Sequence, residues 1–229
     1  MNDLVMAFSE ALTLIFSFDK YIYEIIFLSL YVSIVSTFIS AIIGIPIGLY
    51  VGIKSFKGRR TVIKIVNTLM SLPPVVAGLL VYVFISKSGP LGFFNILFST
   101  TAMIIAQTLL VTPIICGFVI NISSTRGMEV YEALTSLRAS RKSKIYYIIY
   151  EMKFQIFGAI TAGFGRAISE VGAVSMVGGN IEGKTRVMTT YIMLQTGMGN
   201  FSRAIAIGII LIIISLIINH FALRLTKEI

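Results

Sequence analysis

Five long apolar runs dominate the sequence, and each is long enough to cross a lipid bilayer. They cover residues 24–53, 63–85, 99–122, 154–177 and 204–223. At about 1.5 Å per residue, each run spans a hydrocarbon core of about 30 Å as a helix. With 56% hydrophobic residues and a mean hydropathy of +0.92, the chain carries more apolar surface than a soluble domain of this size can bury. The sequence therefore predicts an all-α membrane protein with about five transmembrane helices.

The first 23 residues differ from these runs. They carry Asp3, Glu10, Asp19 and Lys20 around an apolar core that is short for a membrane span. This pattern favours an amphipathic helix lying at the membrane interface over a further span. We interpret the whole chain, residues 1–229, as a single transmembrane domain.

Lysine and arginine are distributed unevenly among the segments that join the spans. Thirteen lie in segments 54–64 and 122–153 and in the carboxyl-terminal tail, and five lie in the alternating set. Because cytoplasmic loops are enriched in these residues, we expect the first set to be cytoplasmic, the amino terminus outside and the carboxyl terminus inside. The net charge of +9 therefore reflects membrane topology, and we do not expect nucleic acid as a partner.

Residues 128–154 form the longest polar interval between two apolar runs. They are rich in helix-forming and basic residues, and the charge distribution predicts that they are cytoplasmic. A membrane protein that exposes such a segment on one side offers a surface there for a protein partner.

Three features fall inside the predicted spans. Glycines at every fourth position of the first run, residues 44, 48 and 52, suit close helix packing. Pro73 and Pro74 must break the helical hydrogen bonds of the second run, either beside a transport route or as a structural kink. Arg166 and Glu170 are four residues apart, so in a continuous helix they lie on one face of the fourth run. Because ionisable groups at membrane depth are costly, the two form either a structural pair or part of a pathway or gate.

Residues 178–185, GGNIEGKT, fit the pattern of a phosphate-binding loop. Such a loop needs a preceding strand, whereas this segment follows a membrane span and is predicted to face outside. We interpret it as an extracytoplasmic docking surface or gate rim that includes Asn180, Lys184, Thr185 and Arg186. With one cysteine, one histidine and no nucleophile–base arrangement, the sequence predicts neither an enzyme nor a metal site.

The polar interval resembles the cytoplasmic loop of the permease subunits of bacterial ABC importers. The family's motif there is E-A-A-x-x-x-G, then nine residues, then I-x-L-P. Three residues of this chain match it: Glu132, Ala133 and Ile148. Four residues depart from it: Leu134, Arg138, Tyr150 and Glu151.

Further segments are similar to the molybdate, sulfate and tungstate branch of that family. LPPVVAGL at 72–79 and SGPLG at 88–92 resemble one pair of its motifs. GRAISEVGA at 165–173 and GGNI at 178–181 resemble another. TRVMTT at 185–190 most resembles tungstate permeases.

The resemblance implies a type I importer permease fold, a homodimer of this subunit, two ATPase subunits on the cytoplasmic face and an external oxyanion-binding protein. ATP and magnesium would bind to the partner ATPase, and this chain would hold no cofactor. The resemblance implies an ATPase-coupling segment that includes Glu132, Ala133, Leu134, Arg138, Ala139 and Ser140. We expect Pro73, Pro74, Arg166 and Glu170 to lie around the passage.

The function that follows is that of the transmembrane subunit of an ATP-driven oxyanion importer in the cell (inner) membrane. Tungstate is favoured, with molybdate and sulfate as alternatives within the family. A secondary transporter is an alternative from another class; it requires internal repeats, which the sequence does not show. A membrane scaffold protein is a further alternative, although it needs neither intramembrane charges nor broken helices.

Overall fold

The structure of the chain, a computed structural model, describes residues 9, 13 and 19–227. Regular structure within these residues is helical, which confirms the predicted all-α fold class. The predicted interfacial helix, residues 1–23, lies mostly outside the described residues, and its last four residues belong to the first described helix.

Ten α-helices are described, and we number them in chain order. They are α1 (Lys20–Ile53), α2 (Arg59–Met70), α3 (Pro74–Ile85), α4 (Thr100–Ile122), α5 (Met128–Ser136), α6 (Arg141–Glu151), α7 (Lys153–Ile168), α8 (Gly172–Gly178), α9 (Met188–Gly197) and α10 (Phe201–Lys227). A wider helical turn, Ser123–Gly127, joins α4 to α5, so that Thr100–Ser136 is one helix of 37 residues.

In the described part of the chain, three helices are long and apolar enough to cross a membrane. They are α1, the joined α4–α5 helix and α10 over Phe201–His220. A fourth candidate is α2 with α3, which is broken at 71–73, as Pro73 and Pro74 predicted. The fourth apolar run is also broken, because α7 ends at Ile168 and α8 begins at Gly172. The described residues therefore contain three candidate spans, or four with the broken pair, where the sequence predicted about five.

The chain divides into two compact units, and the boundaries fall inside α1 after Ser36, at the break after Leu72, inside α4 after Gln107, inside α7 after Arg166 and inside α10 after Asn219. Unit 1 combines the start of α1 with Pro73–Gln107 and Ala167–Asn219. Unit 2 combines Thr37–Leu72 with Thr108–Arg166 and the end of α10 from His220.

In unit 2, α1 packs on α4 over a face of glycines. A β-carbon on Gly44 would lie 3.1 Å from the Thr112 carbonyl oxygen, and one on Gly48 would lie 2.7 Å from Val119 Cβ. The close approach lets Ser123 Oγ donate a hydrogen bond to the Gly48 carbonyl at 3.2 Å. The predicted use of this glycine spacing for close helix contact is confirmed.

Arg59 closes the end of α1 within unit 2. Its Nε donates to the Val51 carbonyl at 2.7 Å, and its Nη2 donates to the Gly52 carbonyl at 2.9 Å and to Ser124 Oγ at 3.0 Å. A helix leaves its last carbonyls without partners, and positive charge is favoured there. Arg59 therefore fixes the end of α1 to the turn between α4 and α5.

In unit 1, α3 packs beside α8 and both helices begin at a break. A β-carbon on Gly78 would lie 2.7 Å from Ala173 Cα, and one on Gly172 would lie 3.0 Å from Val75 Cγ2. Ala77 and Ala173 are fully buried in this contact. The break at Pro73 and the break around Glu170 are therefore neighbours in the fold.

Candidate functional site

The predicted coupling segment forms a helical hairpin, residues 128–151, made of α5, a turn at 137–140 and α6. Glu132 and Ala133 lie on the exposed side of α5, and Leu137 at the tip is 77% exposed. The buried side of α6 anchors the hairpin. There Ile148 is buried together with Met152, which follows the hairpin in the chain. The sequence therefore predicted correctly that this polar interval is helical, and of its motif residues the structure exposes Glu132 and Ala133 and buries Ile148.

The turn of the hairpin is closed by the backbone of the chain. The Ala139 N–H donates to the Leu134 carbonyl at 2.9 Å, and the Arg138 N–H donates to the Thr135 carbonyl at 3.0 Å. This is the Schellman arrangement that ends many helices, and it requires a left-handed residue, usually glycine. Arg138 occupies that position with a φ of +53°. The family's motif has glycine there, so the departure at Arg138 keeps the turn geometry.

Ser140 begins the second helix of the hairpin. Its Oγ accepts a hydrogen bond from the Ser143 N–H at 3.2 Å, the usual role of a serine that precedes a helix. Lys144 then ties α6 back to α5, because its Nζ donates to Thr135 Oγ1 at 2.8 Å and lies 5.1 Å from the Tyr131 ring centroid. Leu134, Arg138, Ala139 and Ser140 thus shape the turn, while Glu132 and Ala133 take no part in it and remain exposed.

The second departure from the family's motif, at Glu151, also has a local explanation. Glu151 Oε1 lies 2.7 Å from Arg126 Nη2, and Glu129 Oε2 lies 3.4 Å from Arg126 Nη1. Arg126 belongs to the turn that joins α4 to α5. The ion pair therefore links the end of the hairpin to its start. No local pattern indicated this pairing, because the partners are 25 residues apart.

The predicted continuous helix through Arg166 and Glu170 is interrupted in the structure. The helix ends at Ile168, so Glu170 does not continue the face that carries Arg166. Glu170 is 4% exposed, and its Oε1 accepts a hydrogen bond from the Ala173 N–H at 3.1 Å. A carboxylate that satisfies a first-turn amide favours a new helix start over continuation of the old one. Glu170 therefore stabilises the break between α7 and α8.

A buried polar network supports this break from neighbouring helices of unit 1. Gln107 Nε2 on α4 donates to the Ala167 carbonyl at 3.0 Å, and its Oε1 accepts from Ser36 Oγ of α1 at 2.8 Å. Thr189 Oγ1 on α9 donates to the Glu170 carbonyl at 2.9 Å. These bonds satisfy backbone groups that a broken helix frees inside a membrane. The sequence analysis missed Gln107 and Thr189, since an uncharged side chain within an apolar run is a weak signal.

The predicted rim residues lie in the loop of residues 178–187, and the structure brings them together. Thr185 is fully buried: its Oγ1 donates to the Gly178 carbonyl at 2.6 Å and accepts from the Ile181 N–H at 2.9 Å. Lys184 beside it is exposed. In a phosphate-binding loop this threonine hydroxyl would contact magnesium, but here the loop follows a helix and the hydroxyl is used internally. The spacing is therefore coincidental, as predicted.

Arg186 holds the same loop to the start of α1. Its guanidinium donates to Asn180 Oδ1 at 3.3 Å, to Glu182 Oε2 at 3.0 Å and to the Tyr21 hydroxyl. Burial lowers the pKa of Arg186, but the hydrogen bonds to Tyr21 and Glu182 outweigh it, and the pKa stands above its ordinary value. Arg186 is therefore a fixed cation that stabilises the loop, and its side chain is only 13% exposed.

Known transport proteins resemble the chain along most of its length. The family model described as binding-protein-dependent transport system inner membrane component matches residues 44–229. The chain is 44% identical to the tungstate uptake system permease protein TupB of Peptoclostridium acidaminophilum, over all of both chains. It is 35% identical to TupB of Campylobacter jejuni subsp. jejuni, over 96% of this chain and 92% of that protein. It is 25% identical to the sulfate transport system permease protein CysW of Escherichia coli K12, over 76% and 64%.

These likenesses, together with the candidate membrane spans among the described helices, make the chain a multi-pass membrane transport subunit. The chain belongs to the family of binding-protein-dependent transport system inner membrane components, the permease subunits of ABC importers. Such a subunit is not an enzyme, and it works with a separate ATPase and a substrate-binding protein. Family membership excludes the secondary transporter and the scaffold protein.

Proposed function

We propose that this chain is the membrane-spanning subunit of a tungstate importer. The observation that carries the proposal is its likeness to two tungstate uptake permeases, at 44% and 35% identity over nearly the whole of each chain. Its likeness to a sulfate permease is weaker, at 25% identity. Molybdate and sulfate remain the alternative cargoes, because all three anions are tetrahedral and doubly charged.

A dianion cannot cross hydrocarbon unaided, since burying an unpaired ion costs tens of kcal/mol. The subunit therefore has to offer a polar, partly hydrated passage that opens to one side at a time. We place Pro73, Pro74, Arg166 and Glu170 around that passage. What supports this is that both broken helices start side by side in unit 1, next to buried polar side chains. Binding in transit should be weak, because tight capture is the task of the external binding protein.

The helical hairpin is proposed to transmit ATP-driven closure of the partner subunits. It is exposed at Glu132 and Ala133, its turn is closed internally, and α5 continues α4 without a break. A force applied at the hairpin is therefore carried into a membrane helix by a rigid element, as in other hinge and rigid-body transitions. ATP and magnesium bind on the partner ATPase in this proposal.

We further propose that the importer contains two copies of this chain. The amino terminus of each copy lies outside, and the hairpin lies in the cytoplasm. The support is the excess of lysine and arginine in the hairpin and in segment 54–64. Asn180, Lys184, Thr185 and Arg186 then lie at the outer rim. Of these, Lys184 is the exposed residue that an external binding protein can reach.

The test is uptake by the reconstituted importer, with its ATPase and binding protein, in proteoliposomes. We expect ATP-dependent accumulation of tungstate that equimolar sulfate does not reduce, with a stoichiometric ATPase in the purified complex. Preferential accumulation of molybdate or sulfate would change the proposed substrate to that anion, and the assignment as an ABC importer permease would stand. Uptake that persists without ATP or ATPase would overturn the proposal as a whole.

A further inference from the structure

Unit 2 contains a groove of about 630 Å³ between the second half of α1 and the helical hairpin. This volume lies in the range of small-molecule sites, about 300–1,000 Å³. The lining is mainly aliphatic, with residues from α1, α5 and α6. Six of the lining residues are Ile45, Leu49, Ile53, Ile145, Ile148 and Ile149.

Three cations lie among the lining residues: Lys54, Arg141 and Lys144. None of the described lining residues is acidic. Lys54 and Arg141 are exposed, and Lys54 Nζ lies 5.3 Å from the Tyr50 ring centroid. Of the three acidic residues of the hairpin, Glu129 and Glu151 pair with Arg126, and Glu132 does not line the groove. The groove thus combines an aliphatic wall with positive charge that no carboxylate of its lining neutralises.

This combination fits an amphiphile with an anionic head and aliphatic tails. A free inorganic anion would satisfy the cations but leave the aliphatic wall uncovered, and an apolar segment of protein would do the reverse. Lys54 follows the last turn of α1, so the cations stand where a membrane helix ends, the depth of lipid headgroups. Basic pockets between membrane helices are a known way of holding anionic lipid heads.

We propose that this groove binds an anionic phospholipid, with the headgroup at Lys54, Arg141 and Lys144 and an acyl chain along Ile45, Leu49 and Ile149. The site is separate from the passage and from the exposed motif residues Glu132 and Ala133. Because α6 and the end of α1 both line it, a bound lipid braces the hairpin against α1. The inference goes beyond the proposed transport function and does not depend on the identity of the cargo.

The chain has no tryptophan, so a single introduced one is a reporter without background. Ile149→Trp places the indole in the groove, whereas Ile47→Trp places it on an exposed part of α1 that does not line the groove. Each full-length variant is reconstituted in phosphatidylcholine vesicles with a minor fraction of phosphatidylglycerol. In one series only the phosphatidylglycerol carries brominated acyl chains, and in the other only the phosphatidylcholine does. Bromine quenches indole fluorescence at contact.

The matched charge variants remove two cations from the same two segments. Lys54→Gln with Arg141→Gln acts on the groove, and Lys57→Gln with Lys142→Gln removes neighbouring cations that do not line it. Each cation should contribute about fivefold to the preference for the anionic lipid. We call the indole of Ile149→Trp the groove indole. We expect brominated phosphatidylglycerol to quench it more strongly than the fraction of this lipid in the vesicle would predict. This preference should fall about 25-fold in the groove charge variant only. The reference indole, that of Ile47→Trp, should show no headgroup preference.

Other outcomes overturn the proposal. Quenching of the groove indole by each lipid in proportion to its fraction would mean an ordinary lipid contact, and an equal loss of the preference in both charge variants would mean general surface charge. No quenching of the groove indole by either lipid would mean that protein, such as a second copy of the chain, covers the groove. Loss of the preference on adding inorganic phosphate would mean a site for the free anion instead of the lipid.

Discussion

The helical hairpin and the 178–187 loop are both polar segments, yet they use their polar groups in opposite ways. In the hairpin the backbone closes the turn, and the side chains of Glu132 and Arg138 remain exposed. In the loop the side chains do the closing: Thr185 is fully buried and Arg186 binds three other residues. Composition alone does not show which of the two polar segments is available to a partner. The difference shows that a polar segment is available to a partner only where its side chains are not already satisfied.

The largest effect should follow from reversing the exposed charge of the hairpin. Glu132→Arg should lower ATP-dependent uptake about tenfold or more, since a reversed charge at an interface costs several kcal/mol. The matched control is Glu129→Arg, one turn earlier on the same helix. There the charge change is local, because Arg126 keeps its closer partner Glu151 at 2.7 Å. Uptake and ATPase activity are measured on the same reconstituted complex.

The proposed coupling role fails if Glu132→Arg transports normally, or if both variants lose uptake equally. Unchanged thermal unfolding is part of the expected result, and Cys116 provides the assay. It is the single cysteine and is buried, so a thiol-reactive dye reports when unit 2 unfolds.

The next effect concerns the loop and is one of stability. Thr185→Val removes the hydroxyl that serves the Gly178 carbonyl and the Ile181 N–H. Leaving the buried Gly178 carbonyl and the part-buried Ile181 N–H without partners should destabilise the loop by about 3 kcal/mol, at about 1–3 kcal/mol for each group. Hydrogen exchange of amides 178–187 should therefore accelerate about a hundredfold. Thr185→Ser keeps the hydroxyl and should stay close to the parent rate; similar rates for the two variants would refute the role of the hydroxyl.

The smallest effect should be a gain in stability at the hairpin turn. Arg138 has a left-handed backbone, which costs a residue with a side chain about 1–2 kcal/mol. Glycine avoids this cost but loses more conformational entropy on folding, which offsets part of the gain. Arg138→Gly should thus stabilise the turn by about 0.5–1 kcal/mol. Hydrogen exchange at 137–140 should slow two- to fivefold. Arg141→Gly removes the same charge but puts glycine inside α6, so exchange there should quicken; slowing in both would point to charge instead of backbone.

Local patterns predicted the parts of this molecule that depend on the backbone. The four-residue spacing of Gly44, Gly48 and Gly52 predicted a close helix contact, because glycine allows it wherever a partner helix lies. Pro73 and Pro74 predicted a break, because proline removes helical hydrogen bonds in any environment. The polar interval at 128–154 predicted a helical segment outside the apolar runs. Each of these inferences needed only a few neighbouring residues.

Features that depend on distant partners could not be predicted. Arg186 and Tyr21 are 165 residues apart, and no pattern in either segment indicates the other. Glu170 was predicted to be a helical neighbour of Arg166, whereas it caps the helix that follows. The sequence around a glutamate does not show whether it lies one turn after an arginine in the same helix or caps the next helix. The surrounding helices decide between these two roles. Gln107 is a further example, since its two partners lie on α1 and at the end of α7.

The two halves of α1 differ in when their partners are synthesised. Gly48 meets Val119 and Ser123, which leave the ribosome about 70 residues later, whereas Ser29 waits for Met188 and Tyr21 waits for Arg186. At about 5–20 residues per second, the second wait lasts roughly ten to thirty seconds. During that time the beginning of the first helix is in the membrane without the polar groups that complete it. In a chain that stops before residue 186, the first half of α1 therefore lacks these partners. Cellular quality control can recognise the chain by this incomplete helix.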